Sequence, residues 1–236
     1  MDDTDKEQSQ IPSSGAWQYT LKPVEQAFAK NGGFMAAWDT TGGAGKKAFA
    51  HYESATEFVD NLLLNRADQR FAYEVIPHGQ PARFYLDVEW SSATLETGHQ
   101  TLLALLAHFD AKIAAAYPGA SRACLVACAS RPINKLVKMS YHVVYQHLVF
   151  AGNCDTLMKR LATVDDTPEN AAFFYVNTKG VRECIVDTSV YTRNRLFRML
   201  HCTKRGVAAP LLPLSLPGLQ QFTQKLHPTV TQLPPP

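Results

Sequence analysis

Two apolar runs, FAYEVI at 71–76 and RFYLDVEW at 83–90, are separated only by PHGQPA. Proline and glycine in so short a connection break a helix, while runs of this length rich in aromatic and β-branched residues form strands. The pattern therefore predicts a hairpin. Helical signals are equally plain elsewhere. Ser54 and Glu57 in SATE form a capping box ahead of FVDNLLL and predict a helix over 55–65. Leu102, Leu105, Leu106, Phe109 and Ile113 recur at helical spacing across 100–117 until Pro118 and Gly119 stop the pattern. Further strands are predicted at CLVACA, KMSYHVVYQHLVF, ECIVDTSVY and RLFRML, with another helix near 156–164. Strands and helices interleaved with a hairpin give an α+β class.

The folded part is expected over 17–205, with residues 1–16 polar and disordered and a proline-rich tail over 206–236 carrying at most one short helix near LPGLQQFTQKL. At 236 residues the chain can bury a sizeable core, and its net charge of +2 gives no general warrant for a nucleic-acid partner, so any basic surface must come from local clustering. Five cysteines without a CxxC pair read as free thiols of a reducing compartment, and Cys124 and Cys128 as small residues on one strand face. No apolar run is long enough to span a membrane, and MDDTDKEQSQ is too acidic for a presequence, so the expectation is an intracellular protein. TGGAGKK lacks the glycine spacing and the Ser/Thr of a phosphate-binding P-loop.

Three strand-like segments carry polar insertions. In RFYLDVEW, Phe84, Leu86, Val88 and Trp90 share one face and Tyr85, Asp87 and Glu89 the other, with the acids about 6.6 Å apart along the strand. Two carboxylates at that spacing repel each other or share divalent cations; the plain alternative is a solvated strand face. In VKMSYHVVY, Lys138, Ser140 and His142 alternate with Met139, Tyr141 and Val143, presenting an ammonium, a hydroxyl and an imidazole on one side, which suits phosphate oxygens. In VDTSVYTRNRLFRML and the HCTKR after it, Asp187 precedes Arg193, Arg195, Arg198, Lys204 and Arg205, with Tyr191 and Phe197 among them as a stacking surface. A straight strand would put Arg195 and Arg198 on opposite faces, so joint action needs a turn or bulge at Asn194.

The order DxE, SxH, then a strand-terminal Asp resembles the archaeo-eukaryotic primase superfamily, in its primase-polymerase branch. The resemblance rests on LDVE at 86–89, KMSYH at 138–142, VDTSVYTRNRLFR at 186–198 and YEVIP at 73–77, and it covers about 45–205. It implies a primase catalytic core: an RRM-like sheet module over 81–205 beside a smaller N-terminal α/β module over 17–80. It further implies a DNA primase or polymerase in which Asp87, Glu89 and Asp187 hold two Mn2+ or Mg2+ ions, while Lys138, Ser140, His142, Arg195, Arg198 and Lys204 bind the incoming nucleotide. Lys46 or Lys47 would match a further basic residue of the smaller module. Its partners would be nucleoside triphosphates and single-stranded or primer-template DNA, with no membrane, and its compartment the nucleus or mitochondrion.

Two departures stand out. The interval between SYH and VDTS is shorter than in many eukaryotic relatives, and no Cys/His set at zinc spacing follows Lys204. Zinc is therefore not expected in this chain, and extension of a primer is expected ahead of initiation, with a protein partner as a source of a missing zinc module or a binder of the tail. The competing expectation is a catalytically inactive single-strand-binding module of the same fold; a metal-dependent nuclease would leave the Lys138, Ser140 and His142 face unexplained.

Overall fold

The computed structural model describes residues 16–40 and 45–219. In chain order the elements are α1 (Lys22–Asn31), β1 (Phe34–Asp39), β2 (Lys47–Tyr52), α2 (Ala55–Leu63), β3 (Ala72–Ile76), β4 (Ala82–Ser92), α3 (Leu95–Ala116), β5 (Cys124–Cys128), β6 (Arg131–Ile133), β7 (Leu136–Phe150), α4 (Thr156–Ala162), β8 (Phe174–Val176), β9 (Arg182–Cys184), β10 (Arg195–Arg198) and β11 (Leu212–Pro213). This is an α+β protein with antiparallel sheets. Among the described residues, no helix is long and apolar enough to cross a membrane.

The chain divides into two compact units. Of the described residues, the first contains 16–75 and 196–210, and the second 76–195 and 211–219. The first unit therefore recruits a segment from beyond the expected boundary near residue 80, because β10 lies beside β3 in a sheet of order β10-β3-β1-β2.

In the first unit β1 is buried along its whole length, and its side chains divide between two cores. Phe34 and Trp38 pack with Phe58 and Leu62 of α2, whereas Met35 and Ala37 pack with Val24 of α1 and Tyr73. A strand covered on both faces has no polar alternation, so FMAAWD escapes recognition by period. Half of the capping box at α2 forms: Ser54 Oγ accepts from Glu57 N at 3.1 Å, while the Glu57 carboxylate accepts from Glu53 N, one residue before the cap, at 3.0 Å.

The expected hairpin between FAYEVI and RFYLDVEW is not formed. β3 pairs with β1, where Ala36 faces Glu74 and Trp38 faces Ala72, while β4 pairs with β7. All five residues of β3 are buried, so this strand needs sheet neighbours on both sides; the eleven residues of β4 find their match in the fifteen of β7. PHGQP thus leads from one sheet to another. The local hairpin is instead β1–β2, with Phe34 opposite Tyr52 and Asp39 opposite Lys47.

The second unit has a sheet of order β11-β5-β7-β4, with β6 also on β7. β4 and β5 are both antiparallel to β7, which lies between them, and α3 connects them. That is a split β-α-β arrangement. Beyond β4, residues 185–187 add to its open edge: Val88 faces Val186, Glu89 N donates to Ile185 O at 2.8 Å, and Asp187 N donates to Asp87 O at 2.9 Å. ECIVDTSVY is therefore strand only in part, since Thr188–Val190 turns into a 3-10 helix. α3 starts earlier than its apolar period, at Leu95, because Thr94 Oγ1 caps it by accepting from Thr97 N. Its five periodic residues are all buried, and Gly98 lies so close to Met139 that a Cβ there would come within 2.2 Å of the Met139 Cε.

Part of the expected tail is built into this unit. Leu211 and Leu219 are buried, and β11 pairs with β5, Leu212 opposite Cys128 and Pro213 opposite Ala127. β11 is the last strand of the sheet, where a missing proline N–H costs no ladder bond. The expectations for residues 1–15, for 220–236 and for most of the helix near 216–226 lie outside the described residues.

Candidate active site

Antiparallel partners share a face, and the β4–β7 register places the two polar sequence patterns on the same one. Asp87 lies opposite His142, Glu89 opposite Ser140 and Ser91 opposite Lys138. The other face, with Leu86, Val88 and Trp90 opposite Val143, Tyr141 and Met139, is buried. Each polar residue is thus held by a strand whose alternate residues are locked in the core.

Lys138 Nζ is 2.8 Å from Glu89 Oε2, and Ser140 Oγ donates to Glu89 Oε1 at 3.3 Å. His142 Nε2 stands 4.0 Å from Asp87 Oδ1, with an Arg195 guanidinium nitrogen 3.9 Å from Asp87 Oδ2. The Asp87 side chain is 16% exposed and that of Glu89 32%. Partly desolvated like charges on one strand need compensation, which Lys138 and Arg195 supply.

Asp187 reaches the same face by the pairing of its segment with β4, which sets it opposite Asp87. Its Oδ1 accepts from Ser189 N at 2.8 Å and so caps the 3-10 turn that follows. Two tyrosines register the clustered charge. The Tyr191 phenol is pushed up by burial first and then by neighbours that include Asp87 and Asp187. Tyr175, on β8, is pushed up by burial, by its hydrogen bond to Glu183 and by the charges of Glu183, Glu89 and Asp187. A clamp holds the segment in place. Tyr85, buried on β4, donates to Asn153 Oδ1, Asn153 Nδ2 donates to Thr192 O at 2.6 Å, and Tyr191 donates to the Tyr85 carbonyl.

The second unit therefore brings together Asp87, Glu89, Asp187, Lys138, Ser140, His142 and Arg195. Arg198 and Lys204 belong to the first unit, Arg198 buried and Lys204 exposed. The left-handed turn at Asn194, φ 50°, directly precedes β10. Tyr191 and Phe197 are not a stacking surface: both are buried, and the Tyr191 hydroxyl is spent on the backbone. In the first unit Lys47 is paired with Asp39, which also accepts from Tyr73 at 3.0 Å; Lys46 is exposed.

Sequence reasoning missed Arg131 and Tyr175. Arg131 lies opposite Lys138 across β6 and β7, on the polar face. No period betrays a three-residue strand; the signal was its Asn-Lys turn between Ile133 and Leu136.

Among the described residues no group of three or more His, Cys, Asp and Glu side chains is arranged to hold a metal ion. The donor chemistry still fits a hard divalent cation: Asp87, Glu89 and Asp187 offer carboxylate oxygens from neighbouring extended segments on one face. No protein-family model matches the chain, and no curated protein matches it.

Proposed function

We propose that the polar face of the second unit carries out template-dependent nucleotidyl transfer, as a DNA primase or polymerase whose main reaction is primer extension. The observation that carries this reading is the register of β4 on β7, which sets an acid pair directly against a Lys, Ser and His row, with Asp187 joining from the β4 edge. A pure binder of a polyanion gains nothing from three carboxylates on its binding face.

In this reading Asp87, Glu89 and Asp187 would hold Mn2+ or Mg2+, two ions that would supply charge neutralisation during the transfer. Lys138, Ser140 and His142 receive the triphosphate: the ammonium as a point charge, the hydroxyl and imidazole as directed donors. Lys138 then exchanges its bond to Glu89 for one to phosphate, and Arg195 moves its guanidinium from Asp87 toward the same oxygens. The split β-α-β order of the second unit supports an RRM-like sheet, and the first unit corresponds to the smaller module of a primase core.

The test is extension of a primed template with deoxynucleotides and Mn2+, beside an unprimed template. Wild type is expected to extend the primer, and Asp87→Ala with Glu89→Ala to abolish extension while single-strand binding persists. The second reading, an inactive single-strand-binding module, draws support from the Lys138–Glu89 ion pair, which neutralises one acid from within the protein. Strand binding by a wild type inactive with both metals would establish it.

A further inference from the structure

The polar face does not end at Lys138. β6 adds a third strand to its far end: Arg131 is the partner of Lys138, Pro132 of Val137 and Ile133 of Leu136, and the hairpin closes through Asn134 at φ 54°, a left-handed conformation that asparagine tolerates. Because Ser91 is the partner of Lys138 on the other side, Ser91, Lys138 and Arg131 form one row across β4, β7 and β6. The next row holds Glu89 and Ser140, and the one after it Asp87 and His142. The face therefore grades from acids at one end to two adjacent cations at the other, with roughly 6.6 Å per row at the strand rise.

Arg131 has no carboxylate partner among the described residues, since Glu89 is already engaged by Lys138. It is half-buried rather than fully solvated, and three register pairs anchor its strand. Two like charges side by side across strands are unfavourable unless an anion bridges them. The bland alternative, a solubilising charge, fits Lys135 at the exposed hairpin tip; Arg131 sits on the strand itself, on the same face as Lys138.

We infer that Arg131 is a further phosphate-binding residue, placed beside Lys138 to grip the distal end of a nucleoside triphosphate. The inference rests on the proposed nucleotidyl-transfer reading and adds to it a planar, bidentate guanidinium where the sequence pattern offered only a point charge. A triphosphate whose reacting phosphate lies at the acids would direct its tail along the rows toward Arg131. The same chemistry could serve a backbone phosphate of DNA, and the experiment separates the two sources.

Binding of a fluorescent nucleoside triphosphate with Mg2+, of the matching monophosphate and of a labelled single-stranded oligonucleotide is measured for wild type, Arg131→Ala, Arg131→Lys and Lys138→Ala. Arg131→Ala is expected to weaken triphosphate binding by about tenfold, the loss of one charge-assisted contact, with monophosphate and oligonucleotide unchanged and with partial recovery in Arg131→Lys. If Lys138→Ala weakens triphosphate binding and Arg131→Ala does not, the inference fails while the functional reading stands. A loss confined to the oligonucleotide reassigns Arg131 to the strand and also overturns it. If wild type binds no triphosphate, the functional reading itself fails and the inference with it.

Discussion

Asp87 and His142 face each other as partners across β4 and β7, the imidazole Nε2 4.0 Å from the carboxylate. The two residues divide the proposed chemistry between a metal-holding oxygen and a phosphate donor, so their losses should differ in kind. Asp87→Ala should lower turnover in primer extension by about a hundredfold or more, the scale of several kcal/mol of lost charge stabilisation. His142→Ala should instead raise the nucleotide KM by about tenfold, one lost hydrogen bond to a charged group. Steady-state kinetics with varied deoxynucleotide distinguish these; equal effects on turnover would place both residues in the same role.

Asp187 has two duties, a charge opposite Asp87 and a cap for the 3-10 turn at Ser189. Asp187→Asn keeps an oxygen that can accept from Ser189 N but removes the charge. It should abolish extension with the denaturation midpoint unchanged. Asp187→Ala removes both, and should in addition cost about 1 kcal/mol of stability, the usual worth of a capping side chain. Comparing both variants by urea denaturation and extension separates the functional charge from the structural bond.

The Gly98 position shows where helix propensity loses to packing. Alanine would favour α3 by about 1 kcal/mol, yet its Cβ would meet Met139 Cε at 2.2 Å and Sδ at 2.5 Å, and Met139 is wholly buried. Overpacking of this kind costs about 1–3 kcal/mol. Gly98→Ala should therefore destabilise the protein by about 1 kcal/mol net. Adding Met139→Ala should remove the steric part, so the double variant should be less unstable than the two single losses predict together.

How much of this was legible beforehand depended on whether a signal is local. The placement of Asp87 with Glu89, and of Lys138 with Ser140 and His142, follows from side-chain alternation and needs no knowledge of partners. The five periodic residues of α3 and the Ser54 cap were readable for the same reason. Strand pairing is a different matter. PHGQP carries the chemistry of a hairpin turn, but β3 and β4 join different sheets because each finds a longer or better-covered partner far along the chain. β1 is apolar on both faces and so lacks alternation, and β10 returns to the first unit from more than a hundred residues away. Arg131 was invisible because its membership of the polar face depends on a three-pair register that only the folded hairpin defines. The proline-rich segment at 212–213 was misread because composition does not distinguish a solvated tail from a terminal strand that can spare its N–H groups.

The response to acid follows from α3. His99 and His108 are half-buried, and both Nε2 atoms are sequestered without a hydrogen-bond partner. His99 lies against the Tyr141 ring, and His108 sits edge-on to Phe173 with Lys112 and Asp165 as the charges near it. Desolvation lowers both imidazoles from the ordinary 6.5, with Lys112 adding to the effect at His108 and Asp165 opposing it. Below about 6.5 the unfolded chain therefore binds more protons than the folded one, and stability falls as pH falls through the depressed folded values. Above 6.5 the two states bind these protons equally, and the contribution is full and constant. Urea midpoints should thus be flat from pH 7 to 8 and decline from pH 6.5 toward 5. His99→Gln with His108→Gln should flatten that decline, even though each substitution lowers the absolute midpoint. An unchanged slope in the double variant would assign the acid sensitivity to other groups.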